Sequence, residues 1–153
     1  MAMSEIHKNA TIDAPADKVY EFVDNPENFP QYVPNVERVE DIKRSEGRIG
    51  DSFRVVYKVM GVTFDEKFTV TEHQPPHKAG SRFEGGMKGT FDWTFEPQGQ
   101  QTKTTVVVRY ELAGGALGKA VDALVLERTN EKTIEGMLQN MRRVLAREGS
   151  RKS

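Results

Sequence analysis

The feature that most constrains this chain is a change of hydrophobic period. From Val36 to Leu112 apolar residues alternate with polar ones, whereas from Ala116 to about Arg147 they return at helical spacing. In "SFRVVYKVMG" Phe53, Val55, Tyr57 and Val59 share one face, with Arg54 and Lys58 opposite. The runs "VTFDEKFTV" (Phe64, Phe68, Val70), "GTFDWTFEP" (Phe91, Trp93, Phe95) and "TTVVVRYEL" (Val106, Val108, Tyr110, Leu112) repeat the pattern. Glycine-containing turns at "SEGRIGD", "VMGVT", "PPHKAGS", "GGMKG" and "PQGQQ" separate the runs as hairpin connections do. One-sided alternation marks an antiparallel sheet with one wet face, so a meander of about seven strands is expected, counting the extended "IHKNATIDAP" at the start. Its dry face must be covered. A terminal helix of roughly 30 residues, far above the usual three turns, is the element able to do it.

Ahead of the meander, "PADKVYEFVDN" reads as a helix with Pro15 at its first position and Val19, Phe22 and Val23 on one face. Three prolines in "NPENFPQYVPN" leave room for only a short helical turn between Pro26 and Tyr32, with Phe29 and Tyr32 closing it against a core. The order is therefore strand, two short helices, six strands, long helix: an α+β chain. The 153 residues leave no room for a second domain, yet suffice to bury roughly two-thirds of the unfolded surface in one core. We expect one domain over residues 1–147 and a frayed tail over 148–153.

Composition removes several functional classes. A formal net charge of −1 supplies no basic field for nucleic acid or an anionic membrane. The absence of cysteine removes disulfide frameworks, thiolate zinc sites and Cys nucleophiles, and fits a reducing compartment. No signal-peptide pattern opens the chain and no run of about 18 apolar residues occurs, so a soluble, cytoplasmic protein without a stable membrane anchor is expected. His73 and His77 flank "QPP" beside Glu72, but strand-to-turn spacing does not place them on one face; neither a metal nor another cofactor is expected. "GRIG" precedes a hairpin and lacks the Lys-Ser/Thr of a phosphate loop, so it reads as a turn. No GxSxG elbow supports hydrolase chemistry.

Two places resist a simple packed core. In "VLERTNEKTIEGML" the stripe formed by Leu117, Ala120, Val121 and Leu124 gives way before a second stripe of Ile134, Leu138, Met141 and Leu145, and Glu127, Arg128 and Glu131 lie nearest the apolar face between them. Either the helix breaks near Asn130 or Gly136 and turns these charges to water, or they pair at i,i+4 spacing on a solvated face, or the helix middle faces a hollow in which polar groups meet a ligand. Glu66 poses the same choice, because the parity that turns Phe64 and Phe68 inward turns Glu66 inward too. A buried carboxylate must be paired, hydrogen-bonded or neutralised. It could meet Arg128, anchor a ligand hydroxyl or hold a proton, unless a bulge returns it to solvent.

The block "IDAPADKVYEFVDNPENFPQYVPNVERVE", the hairpin start "EGRIGDSFRV", the strands "FDEKFTV" and "GTFDWTFEP" and the terminal helix together resemble the START and polyketide cyclase–dehydrase superfamily (SRPBCC, Bet v 1-like) over nearly the whole chain. The resemblance implies a helix-grip fold, a curved seven-stranded antiparallel sheet around a long C-terminal helix, enclosing a deep cavity. Members bind or carry lipids, quinones, hormones or polyketides, and some are aromatases, cyclases or dehydratases. For this chain it implies binding or transport of a small hydrophobic ligand (lipid, isoprenoid quinone or polyketide-like) without catalysis. The alternatives are a cyclase or dehydratase in which Glu66 or Tyr57 exchanges a proton, and a protein-interaction module. In such a cavity Tyr57, Phe83, Phe91, Trp93, Tyr110 and Leu124 become lining. Met60, Met87, Met137 and Met141 add an adaptable wall, and Glu66, Arg128 and Glu131 are the expected polar anchors.

Overall fold

The computed structural model describes residues 4–45, 47–59, 61–112 and 123–152. Met60, the side chain of Leu112, and the first helical stripe from Leu117 to Val121 lie outside the described residues.

The period-two segments form strands and the 3.6-period segments form helices. Strand β1 (Ser4–Ile12) leads into α1 (Ala16–Asp24), a single 3-10 turn (Pro26–Asn28) and the short α2 (Phe29–Tyr32). Strands β2 (Val36–Lys43), β3 (Ser52–Val59), β4 (Val62–Gln74), β5 (Lys78–Glu84), β6 (Met87–Gln98) and β7 (Gln101–Leu112) follow, and α3 (Ala123–Lys152) ends the described chain. The seven strands make one antiparallel sheet in the order β1-β7-β6-β5-β4-β3-β2, so the first strand closes against the last. Gly61 and Gly99 supply the positive φ needed in the β3–β4 and β6–β7 turns, at 77° and 68°.

Helix α1 starts one residue later than the sequence suggests. Pro15 stays extended (φ −64°, ψ 153°) and its carbonyl accepts the amide of Val19 at 3.1 Å. The expected face of Val19, Phe22 and Val23 is buried. At the other end, helix α3 runs through residues 148–152, which the sequence reads as tail.

The concave face of the sheet carries the core, joined by Leu126, Ile134, Met137, Leu138, Met141 and Leu145 from α3. Gly136 faces the α2–β2 loop, where a Cβ would meet the Pro34 ring at an ordinary contact distance of 3.4 Å. Asn140 Nδ2 donates to the carbonyl of Tyr32 at 3.0 Å and ties the helix to α2. The convex face is not wholly wet: Val56, paired across the ladder with Arg38 and Asp65, is 2 % exposed.

Candidate ligand-binding site

Between the sheet and the middle of α3 lies a cavity of about 90 Å³. Gly89 sits across from both Phe83 and Tyr110, and a Cβ there would stand 1.8 Å from the Arg109 carbonyl oxygen, so the strands close too tightly for any other residue. Tyr57, Phe83, Phe91 and Tyr110 all reach the wall, as do Asn130, Thr133, Ile134 and Met137 from α3. Among the described residues, Pro34, Asn35 and Lys58 form its exposed rim. Tyr57 and Phe91 point inward yet remain only half-buried, because their rings border this hollow.

A second hollow of about 50 Å³ lies under α1, lined by Val23, Ala79, Ser81 and Trp93. Its space comes from β5, where small Ala79 and Ser81 face Trp93 and Phe91 across the ladder. Trp93 therefore borders this second hollow and not the first. A wider polar depression of about 670 Å³ near Thr11, Asp13, Arg142 and Arg143 is an open surface groove without an apolar interior.

Glu66 is fully buried. The β3–β4 register runs without a shift from Ser52↔Thr69 to Val59↔Val62, so no bulge returns it to solvent. Its Oε1 accepts the backbone amide of Met87 at 2.9 Å. The β5–β6 turn passes tightly over it: a Cβ on Gly85 would stand 2.2 Å from the Asp65 carbonyl oxygen and 3.0 Å from Glu66 Oε1. Burial raises the Glu66 carboxyl from 4.5 to about 7, against the opposing pull of the Met87 and Gly86 amides. Burial also raises the Tyr57 hydroxyl well above its ordinary value, with Glu66 and Tyr110 adding to the shift. Glu66 Oε2 and the Tyr110 hydroxyl are both buried without a hydrogen-bond partner. Tyr110 lines the cavity, whereas Glu66 is not among the residues of its wall and is held at the Met87 backbone amide.

The helix anchors fall elsewhere than the sequence suggests. Arg128 is exposed, Glu131 is half-exposed, Leu124 is 59 % exposed, and none of them borders the cavity. The stripe in fact runs Leu126, Asn130, Thr133, Ile134, Met137, so the polar side chain at mid-helix is Asn130. Phasing from Leu124 misplaced the face. Glu131 lies near Lys8, which pairs with Glu135 at 2.9 Å across α3 and β1. Thr133 returns its hydroxyl to the Thr129 carbonyl at 3.0 Å, leaving the Asn130 amide and the tyrosine hydroxyls as the polar groups of the wall. Asn130 was legible only as a polar residue inside an apolar repeat.

The histidines do not converge. His73 Nε2 meets Asp24 Oδ2 at 3.1 Å, and among the described residues no group of three or more His, Asp or Glu side chains is placed to hold a metal. Arg48 of the "GRIG" turn, at φ 65°, reaches the same Asp24 at 3.1 Å and Asp51 at 2.9 Å, so this turn is pinned to the end of α1. No described helix is long and apolar enough to cross a membrane.

One sheet curled about one helix, with a hollow held open between them, defines a helix-grip protein. The chain belongs to the polyketide cyclase / dehydrase and lipid transport family, whose profile matches residues 3–146. Solved structures agree. A Thermus thermophilus protein is 26% identical with a TM-score of 0.73, covering 94% of this chain and 98% of its own. A START superfamily protein from Mycobacterium smegmatis shares the fold at 15% identity (TM-score 0.78; 94% and 97% covered). So does a Streptomyces aromatase/cyclase at 16% identity (TM-score 0.75; 99% and 96% covered). A search of the curated proteins finds no match.

Proposed function

We propose that this protein binds and carries a small, neutral hydrophobic molecule bearing one hydrogen-bonding group. The observation that carries the reading is the first cavity: an apolar wall into which the Tyr110 hydroxyl is buried without a partner, beside Asn130. Apolar burial supplies affinity at about 25 cal/mol per Å², and the polar groups supply orientation. Charge narrows the ligand. Among the described residues the cation at the rim is Lys58, exposed and paired with Glu37 at 3.4 Å, so there an anionic head group meets no buried counter-charge. A cavity of about 90 Å³ is below the roughly 300–1,000 Å³ of a typical ligand site, so binding requires the walls to move apart.

Solvent extraction of the purified protein followed by mass spectrometry tests the reading directly. A stoichiometric neutral hydrophobic compound supports it and identifies the class. Titration with the neutral fluorophore N-phenyl-1-naphthylamine provides the second arm; no enhancement at any concentration, together with an empty extract, overturns it.

A second reading, proton-transfer catalysis of the cyclase or dehydratase kind, draws on Glu66, whose carboxyl at about 7 suits a general acid or base. That Glu66 is not among the residues of the cavity wall favours the binding reading, because a proton-transfer group must touch the substrate. Turnover of a polyketone that is abolished in Glu66→Gln, with binding retained, would reverse that preference.

A further inference from the structure

Phe29, Phe68 and Phe91 each border both hollows. Phe68 stands at the centre, 5.9 Å from Phe29 and 6.4 Å from Phe91 between ring centroids, and stacked at 5.3 Å on both Phe53 and Phe83. The tyrosines and Asn130 lie on one side of these rings, and Trp93, Ala79 and Ser81 on the other. Two hollows with a shared wall of three rings are unlike two unrelated packing defects. Close-packed interiors carry few voids larger than a water molecule, whereas here two lie side by side, the second where the inward side chains of Ala79 and Ser81 are small. Phe29 and Phe91 are only half-buried, and both border each hollow.

We propose that the two hollows are the ends of one elongated ligand chamber, and that Phe68, with Phe29 and Phe91, forms a partition whose displacement sets the length of ligand accepted. The inference rests on the binding function proposed above and specifies its ligand further: a long, neutral molecule with its hydrogen-bonding end at Tyr110 and Asn130 and its apolar end against Trp93. Phe68 is then a specificity-determining residue.

Trp93 is the single tryptophan of the chain, and there is no cysteine for an alkyl bromide to modify. These two facts allow a contact measurement. A series of 4-alkylphenols with bromine at the chain end is bound to the full-length protein, and Trp93 fluorescence is followed under excitation selective for tryptophan. Bromine quenches tryptophan only at near contact. Displacement of N-phenyl-1-naphthylamine measures occupancy of the chamber independently. We expect short phenols to displace the fluorophore without quenching Trp93, and longer ones to do both, with a sharp onset at a particular chain length. Phe68→Ala should move that onset to shorter chains while circular dichroism remains native. Phe68→Leu serves the same purpose if the alanine variant does not fold. Displacement without quenching at every length, or quenching that begins with the shortest phenol, overturns the single-chamber arrangement while leaving ligand binding intact. Failure of every phenol and of the fluorophore itself to bind overturns both.

Discussion

At the residue scale Glu66 concentrates the electrostatic cost of the fold. Its carboxyl is raised from 4.5 to about 7 by burial, so the folded state holds the proton more tightly than the unfolded chain does. The resulting stability is fully present below the unfolded value near 4.5 and is lost as pH rises through about 7. Urea unfolding across pH 4 to 8 should show a loss of about 3 kcal/mol from this group. Glu66→Gln should remove that slope while keeping an acceptor for the Met87 amide, and parallel pH profiles for the two proteins would refute the assignment. Gly89 offers a purely steric counterpart. Gly89→Ala forces a Cβ onto the Arg109 carbonyl oxygen, a contact of 1.8 Å. We expect a loss of about 2–4 kcal/mol, measured by the same unfolding, because strands β6 and β7 must separate to admit it.

At the scale of elements, α3 decides whether the cavity exists, and α2 holds it in place. Removing the Asn140–Tyr32 bond with Asn140→Ala should cost about 1 kcal/mol of stability, read from the denaturation midpoint. Arg128 is exposed on the same helix, away from the cavity. Arg128→Ala should change stability by less than about 0.5 kcal/mol and leave N-phenyl-1-naphthylamine affinity unaltered. Asn130→Leu, by contrast, replaces a polar group of the wall and should weaken ligands with a hydrogen-bonding end while sparing purely apolar ones. Sequence periodicity located the strands correctly, including the inward parity of Glu66, because a uniform ladder propagates parity from one residue to the next. It misphased α3. A 3.6-residue period accumulates angular error along a helix, and the reference residue, Leu124, turned out to be exposed.

At the scale of the whole molecule, ligand binding should be visible as thermal stabilisation. At a ligand concentration 100 times Kd the folded state gains about 2.7 kcal/mol, which for a domain of this size raises Tm by roughly 5–10 °C. Because the cavity wall presents no buried cation among the described residues, the shift should be nearly insensitive to salt; a strong ionic-strength dependence would point to a charged ligand instead. The sequence of elements along the chain, with its two short helices and long terminal helix, was legible, since each rests on local periodicity and on turn residues that act over a few positions, whereas the pairing of β1 with β7 is a long-range contact. Periodicity alone marked the aromatic residues as core, and only the family resemblance made Tyr57, Phe83, Phe91 and Tyr110 candidates for a cavity wall. What only the tertiary structure decided is how much of the interior stays empty and which polar atoms meet that space. Void volume depends on the sizes of side chains brought together from different strands, as where Ala79 and Ser81 meet Trp93 and Phe91. No local pattern carries that sum, nor does any local pattern place Phe68 between two hollows or seat Asn130, rather than Arg128, against the first of them.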